Sequence, residues 1–386
     1  MMRLGIIALG GTIVLCAALS VRPGAKSTAA EPIASGRAIV PIDRPLILLA
    51  PYVWIRQGEG SAARAEAVTP GAYIKASFRD SATIGLVVDG TANRGCGVES
   101  LPVIEYSIDD GEFHIVRLKT TEAIYPLRLA SGLDVRATHH LEMIFRAADL
   151  TRNRWRASTA RLRVAGFDLD QGGSVAPTPA FPKRALAFGD SITEGVGVDG
   201  LFTSWQSLDV NNARATWFPI VASALGCEYG QFGSGGLGMT RELEIPPLSR
   251  IWDRYDATTS RLIEGKLTPE PDYIFCCLGT NDYEKDITND YINWLSAMRG
   301  ACPRTLFFCI PPPLGVHRGE VDAAVAARRK AGDTNVHLIA VDELNSAFRV
   351  GRGATRLAHD GVHPSAYGQA IVAASIAVKV QRILNR

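Results

Sequence analysis

The sequence lacks the dense blocks of lysine and arginine with which proteins neutralise a nucleic-acid backbone. Its 41 basic and 39 acidic residues leave a formal charge of only +2 over 386 residues, so nucleic acid is not an expected partner. Low-complexity tracts and internal repeats are also missing. Hydrophobic residues make up 47% and charged residues 21% of the chain, which is ordinary for a globular protein. Neither disorder nor a multi-span membrane protein is indicated.

Cysteine is scarce, and no pair of cysteines has the CxxC spacing of a metal or redox site. Three cysteines lie inside apolar, strand-like runs, where a thiol usually behaves as a small buried hydrophobic group: Cys276, Cys277 and Cys309. Three others are candidates for disulfide bonds in an oxidising compartment, although the spacing predicts no pairing: Cys96, Cys227 and Cys302. Because histidine and cysteine do not cluster, no metal site is predicted.

The N-terminus combines a basic start, Met1-Met2-Arg3, with the mostly apolar run Leu4 to Leu19 and then small and polar residues. This layout predicts a secretory signal peptide over residues 1–30, with cleavage after either Ser20 or Ala30. An uncleaved anchor is the alternative, but glycines interrupt the run, which falls short of the roughly 20 apolar residues that a span needs. We therefore expect an exported protein, periplasmic or extracellular, with no stable membrane insertion after cleavage.

A change of hydrophobic period divides the remaining chain. Residues 31–170 alternate apolar and polar side chains in short runs, which predicts an all-β domain, a jelly roll or sandwich. Within it, Ile104 to Ile108, the turn sequence Asp109-Asp110-Gly111 and Phe113 to Leu118 form a hairpin pattern. Residues 171–182 are rich in glycine and proline and predict a linker.

Residues 183–386 alternate strand and helix patterns. Four segments are apolar along nearly their whole length, as strands buried on both faces of a parallel sheet must be: Ala185 to Phe188, Tyr273 to Leu278, Leu306 to Ile310 and Val336 to Val341. Helical periodicity runs from Trp217 to Leu225 and again after Ser365. This alternation predicts a three-layer α/β/α domain with its ligand site at the carboxyl ends of the strands.

Polar segments fall where that rule places an active site. A serine hydroxyl becomes a nucleophile when a base removes its proton, and the base needs an orienting acceptor. Ser191, directly after the first buried strand, is the candidate nucleophile, His363 the candidate base and Asp360 the residue that orients the imidazole. We expect Asp190 and Asp282 to accept hydrogen bonds that order the neighbouring loops.

The tetrahedral intermediate of acyl transfer also needs donors for its oxyanion. The candidates are the backbone N–H of Ser191, the backbone N–H of Gly236, with Gly235 as the alternative, and the side-chain amide of Asn281. Gly236 lies in the glycine-rich run Gly233 to Gly238.

Together these segments resemble the SGNH (GDSL-like) hydrolase family, whose four sequence blocks contribute Ser, Gly, Asn and His in this order. Here the matching residues are Ser191, Gly236, Asn281 and His363, and the resemblance covers Phe188 to about Gly368. It implies a flavodoxin-like parallel sheet, ester hydrolysis through an acyl-enzyme and no cofactor. The β domain ahead of it resembles the arrangement of the two-domain carbohydrate esterases of family two, whose members deacetylate xylan and related polysaccharides.

Two other readings of the same segments do not fit. The glycine-rich run matches the spacing of a phosphate-binding P-loop, but Met239 stands where that motif needs lysine. No Gly-x-Ser-x-Gly surrounds a candidate serine, which argues against an α/β-hydrolase.

Trp252 is a candidate for stacking on a sugar ring.

The sequence thus predicts an exported serine esterase that removes acetyl groups from a carbohydrate, such as a xylan-like polysaccharide or oligosaccharide. One rival is a lipolytic or aryl esterase on the same fold, which chain-length preference would distinguish. The other is a carbohydrate-binding protein without catalysis. The oligomeric state is not predicted.

Overall fold

The computed structural model describes residues 36–119, 123–201, 203, 208–348 and 355–385. The predicted signal peptide lies outside these residues. Within the described ranges, no helix is both long enough and apolar enough to span a membrane. The cysteines in these ranges are all buried and none forms a disulfide bond: Cys96, Cys227, Cys276, Cys277, Cys302 and Cys309.

The first part of the chain is a β sandwich, as predicted. Its strands, in chain order, are β1 (Arg37–Pro41), β2 (Leu48–Leu49), β3 (Trp54–Gln57), β4 (Arg64–Ala67), β5 (Tyr73–Arg79), β6 (Thr83–Asp89), β7 (Val103–Ile108), β8 (His114–Arg117), β9 (Ile124–Ser131), β10 (His139–Ala147), β11 (Leu162–Asp170) and β12 (Ser174–Ala176). One antiparallel sheet has the order β3-β4-β11-β6-β9, with β1 pairing with β11, and the other has the order β12-β5-β10-β7-β8, with β2 pairing with β5. The main core of this domain is formed by side chains of both sheets, among them Phe78, Phe145 and Phe167.

The predicted hairpin is formed by β7 and β8, which pair antiparallel. Asp109 and Asp110 at its turn both have positive φ, 53° and 56°, as the two central residues of a type I′ turn require. Part of the expected linker is not irregular, because Ser174–Ala176 forms β12 and pairs with β5. The division into domains at residues 171–182 stays a prediction.

The second part of the chain is built on a five-stranded parallel sheet. Its strands are β13 (Lys183–Gly189), β14 (Cys227–Gly233), β15 (Tyr273–Cys277), β16 (Leu306–Ile310) and β17 (Val336–Leu338). The spatial order is β14-β13-β15-β16-β17, the 2-1-3-4-5 order of a flavodoxin-like sheet.

Helices cover both faces of this sheet. They are α1 (Ser191–Glu194), α2 (Trp217–Ala224), α3 (Leu248–Ile251), α4 (Thr288–Ala301), α5 (Arg318–Lys330) and α6 (Ala366–Leu384). Successive strand residues point to opposite faces, so Ala187 packs in the core with α2 and α6, whereas Phe188 packs in the core with α4 and α5. The predicted three-layer α/β/α architecture is confirmed.

The outer strand β14 lies against the β domain. The phenol of Tyr73 accepts a hydrogen bond from the backbone N–H of Tyr229 at 3.0 Å and donates one to the buried carboxylate of Glu228. Gly230 approaches the β domain so closely that a Cβ there would lie 2.0 Å from the carbonyl oxygen of Pro51. Strand β14 therefore joins the two parts of the molecule.

Candidate active site

The candidate site lies where the strand order of the parallel sheet reverses. In a 2-1-3-4-5 sheet this point is between the first and third strands, and ligands bind there at the carboxyl ends of the strands. Ser191 directly follows β13, the glycine-rich run begins at the end of β14, and Asn281 follows β15. The topology therefore gathers the predicted segments at one edge of the sheet.

Ser191 begins the short helix α1, whose start is set by Asp190. The Oδ1 atom of Asp190 accepts the backbone N–H of Ile192 at 2.9 Å, and Gly195, with φ 94°, ends the helix in the left-handed region. Asp190 is 1% exposed, and its Oδ2 accepts no hydrogen bond from the described residues. Burial raises the pKa of Asp190 to about 6, although the N–H of Ile192 acts in the opposite direction.

The structure brings Ser191, His363 and Asp360 into one hydrogen-bonded row. Ser191 Oγ lies 2.9 Å from Nε2 of His363, and Nδ1 of the same ring lies 2.6 Å from Oδ2 of Asp360. Oδ1 of Asp360 accepts the backbone N–H groups of Val362 at 2.9 Å and His363 at 2.7 Å. Burial alone would raise the pKa of Asp360, but the hydrogen bond and charge of His363 together with these N–H groups lower it to about 2.

The hydrogen bonds of this row run in the direction that base catalysis needs, with Nε2 of His363 as the acceptor. An ionised Asp360 only accepts hydrogen bonds, so the His363 ring donates from Nδ1 and is left to accept from the Ser191 hydroxyl at Nε2. The arrangement can remove the proton from Ser191 Oγ and hold it on the imidazole.

The candidate oxyanion donors are N–H groups of the segments that follow β13, β14 and β15. Among the described residues, no acceptor takes the backbone N–H of Ser191 or that of Gly236, whose φ is 76°. The side-chain amide of Asn281 donates to the carbonyl of Leu237 at 3.0 Å, and an amide nitrogen has a second N–H to offer. By contrast, the N–H of Gly235, the alternative donor, is 2.5 Å from Oε2 of Glu194 and is already used.

Asp282 orders the loop that follows Gly236, as the sequence suggested. It is fully buried, and its carboxylate accepts three backbone N–H groups at 2.8 Å, from Met239, Thr240 and Arg241. Glycines give this loop little stiffness of their own, so these hydrogen bonds define its path.

The sequence patterns predicted no role for Glu194, but in the structure its side chain contacts both the glycine-rich loop and the β domain. Glu194 is 3% exposed, and besides the N–H of Gly235 it binds the guanidinium of Arg154 from the β domain. The pattern Ser191-x-x-Glu194 resembles a helix capping box, so it signals a structural role for Glu194. It gives no indication of the partner, which lies 40 residues earlier in the chain.

Trp252 is not among the side chains that meet at the triad. It follows α3 and packs, partly buried, against the core on the α4 side of the sheet. A sugar-stacking role for Trp252 stays a prediction, and the structure supplies a packing role for it.

Cavity size does not mark the candidate site. A cleft of about 600 Å³ lies on the face of the β5-β10-β7 sheet that points away from the core, between residues such as Lys75, His140 and Phe181. A crevice of about 60 Å³ lies beside Gly235, between the glycine-rich loop and residues 150–155 of the β domain. We place the site by the triad geometry, which the larger cleft does not include.

Comparison with known families agrees with this geometry. Residues 187–371 match the model of the GDSL-like lipase/acylhydrolase family, and this range contains Ser191, Gly236, Asn281 and His363. Within this range, the flavodoxin-like order of the parallel sheet and the Ser-His-Asp row agree with that match. The predicted resemblance is confirmed.

Individual similar proteins include one curated relative and several solved structures that cover most of this chain. The cellulase/esterase CelE of Acetivibrio thermocellus is 26% identical over an alignment of 230 residues that covers 55% of this chain and 27% of CelE, so the chain spans about a quarter of that relative's length. A family two carbohydrate esterase from Cellvibrio japonicus superposes with a TM-score of 0.71 at 16% identity, over 90% of this chain and 98% of its own. An acetyl xylan esterase from Butyrivibrio proteoclasticus gives 0.70 at 15%, over 91% and 99%. This chain is therefore similar in fold to the two-domain carbohydrate esterases of family two.

Proposed function

We propose that the protein is an exported serine esterase that removes acetyl groups from a carbohydrate through an acyl-enzyme. The observation that carries the proposal is the row Ser191, His363 and Asp360, with 2.9 Å and 2.6 Å between the paired atoms. The names of the similar proteins, a carbohydrate esterase and an acetyl xylan esterase, support the substrate class. The signal-peptide pattern of residues 1–30 supports export.

In the acylation step, Ser191 Oγ attacks the acetyl carbonyl carbon while Nε2 of His363 takes its proton. The carbonyl electron pair moves to oxygen, where the N–H groups of Ser191, Gly236 and Asn281 stabilise the oxyanion. The ionised Asp360 stabilises the imidazolium that forms. When the intermediate collapses, the bond from carbon to the sugar oxygen breaks, and that oxygen takes the proton from His363.

Deacylation repeats these steps with water as the nucleophile. His363 takes a proton from water as the water oxygen attacks acetyl-Ser191, and it then returns the proton to Ser191 Oγ as acetate leaves. No cofactor takes part in this scheme, since the side chains named supply every proton transfer.

Acetate release from acetylated xylan and hydrolysis of p-nitrophenyl acetate test the proposal. Mature wild-type protein is compared with Ser191→Ala and with Ser296→Ala, a matched control on the exposed surface of α4. We expect turnover of both substrates by the wild type and the control and none by Ser191→Ala. Turnover of the synthetic ester alone would keep the triad and refute the carbohydrate substrate, and a preference for longer acyl chains would favour a lipolytic esterase. No turnover, with binding of xylan retained, would favour a carbohydrate-binding protein.

A further inference from the structure

The glycine-rich loop beside Ser191 is held by a buried carboxylate on α1. Oε2 of Glu194 accepts the N–H of Gly235 at 2.5 Å, and the backbone N–H of Glu194 donates to the carbonyl of Asp190 at 2.9 Å. One residue therefore connects the helix that carries Ser191 with the loop that carries Gly236. The N–H of the next residue, Gly236, is taken by no acceptor among the described residues, and the contact of Gly235 with Glu194 fixes the backbone that leads into it.

The other oxygen of Glu194 is held by the β domain. Its Oε1 pairs with Nη2 of Arg154, and the two side chains are only 3% and 6% exposed. A buried carboxylate needs such a partner, because an unpaired charge in the protein interior is strongly destabilising. Leu150 of the β domain is also adjacent, since its Cδ2 would lie 3.3 Å from a Cβ placed on Gly235.

Arg154 is itself fixed by further contacts of the β domain. Its Nη1 donates to the carbonyl of Asp149 at 2.9 Å, and its own carbonyl accepts Nε of Arg161 at 2.9 Å. Arg161 is paired in turn with Glu66 on β4 at 2.7 Å. A continuous series of buried polar contacts thus runs from the sandwich to the glycine-rich loop.

We infer that Arg154 and Glu194 are positioning residues through which the β domain holds the oxyanion-binding loop in its catalytic geometry. The inference rests on the proposed function and extends it, because it gives the β domain a part in the reaction. Neither side chain reacts with the substrate. Their effect passes through Gly235 to the direction of the Gly236 N–H, and a misdirected donor loses transition-state stabilisation while ground-state binding is kept.

A pair of double variants tests this role without leaving a buried charge unpaired. Arg154→Met with Glu194→Met removes both charges and the acceptor of the Gly235 N–H, and buried ion pairs replaced together by apolar side chains of similar volume commonly keep the fold. Arg154→Met with Glu194→Gln also removes both charges but restores a carbonyl acceptor at the same position. Arg146→Met is the stability control, because Arg146 is 4% exposed and also joins the two parts of the molecule: it pairs with Glu105 within the β domain and with Asp199 outside it.

With p-nitrophenyl acetate, we expect the Met/Met variant to lose about 100-fold in kcat with little change in KM, by analogy with the loss of one oxyanion donor. The Met/Gln variant should recover about tenfold of that loss but stay about tenfold below the wild type, because Arg154 no longer holds the side chain at position 194, and full recovery would refute the part given to Arg154. Arg146→Met should keep kcat within about twofold whatever its Tm. Equal kcat for the two double variants, or a loss in proportion to Tm across all three, would overturn the inference. A wild type that is no more active than Ser191→Ala would instead overturn the proposed function, and the inference with it.

Discussion

Replacement of Asp190 by asparagine should make the protein more stable at neutral pH. The carboxylate is 1% exposed, its Oδ2 accepts no hydrogen bond from the described residues, and burial raises its pKa to about 6. Asparagine keeps an oxygen that can accept the N–H of Ile192, so the start of α1 is retained. The substitution removes a buried negative charge and places an amide NH2 where Oδ2 stands, next to the hydroxyl of Thr280, whose oxygen can accept a hydrogen bond from it.

The magnitude follows from the two pKa values. In the unfolded chain Asp190 ionises near its ordinary value of 3.8, whereas in the native protein it ionises near pH 6. Between these values the native state holds one more proton than the unfolded state, so stability falls as pH rises through this window. At about 1.4 kcal/mol for each pKa unit, this difference in pKa lowers the stability by about 3 kcal/mol at pH 7, where the native carboxyl group is ionised, and by about 0.5 kcal/mol at pH 4, where only the unfolded chain ionises appreciably.

Urea-induced unfolding of the wild type and Asp190→Asn between pH 4 and pH 7, followed by tryptophan fluorescence, measures this difference. Trp217 is a suitable reporter, because its Nε1 donates to Oγ1 of Thr193 at 3.1 Å, next to the site. Other titrating groups contribute equally to both proteins and cancel in the comparison. A stability difference that does not change with pH, or that favours the wild type at pH 7, would refute the reasoning.

Three further sets of substitutions separate catalysis from stability. Asp360→Asn should lower kcat by about 10⁴-fold, because an amide no longer holds the useful tautomer of the imidazole; steady-state kinetics would contradict this if the loss were under tenfold. Asn281→Ala should lower kcat by about 10²- to 10³-fold at unchanged KM, and a rise in KM alone would argue against an oxyanion role. Gly230→Ala should destabilise the protein by at least about 2 kcal/mol, since its Cβ would lie 2.0 Å from the Pro51 carbonyl oxygen. Gly300→Ala, on α4 with open space around it, should stabilise by about 0.5–1 kcal/mol, and equal Tm shifts for the two glycines would contradict the packing argument.

Sequence patterns predicted best the strands that are buried on both faces and the helix that has a clear N-terminal cap. Three strands of the parallel sheet are buried on both faces, so their apolar runs could be recognised in the sequence: β13, β15 and β16. Helix α6 begins after Ser365, which caps it by accepting the N–H of Gly368 at 3.2 Å. The polar residues of the site could be located because they follow such strands.

Sequence patterns did not predict strand β14, because its sequence lacks the continuous apolar run of a buried parallel strand. Its residues Glu228 and Gly230 face the β domain, where Tyr73 and Pro51 are their neighbours. A strand whose polar groups are satisfied by a distant part of the chain carries no local periodicity that would reveal it.

The role of Glu194 was hidden for the same reason. The residue follows Ser191 by three positions, which is the spacing of a local helix cap. Of its actual partners, the N–H of Gly235 reaches it when the parallel sheet forms, and Arg154 reaches it only where the β domain packs against that sheet. Contacts between distant parts of the chain depend on the tertiary structure, so no short pattern in the sequence reveals them.

The contact between β14 and the sandwich also bears on solubility. The outermost strand of a sheet offers unpaired N–H and C=O groups to any other chain, and proteins avoid aggregation by covering that edge. Here the phenol of Tyr73 takes the N–H of Tyr229, and the backbone of Pro51 lies against Gly230. A chain cut to residues 183–386 would expose this edge, and we expect it to associate through intermolecular strands and precipitate. The β sandwich thus covers an edge that the parallel sheet by itself would leave open to pairing.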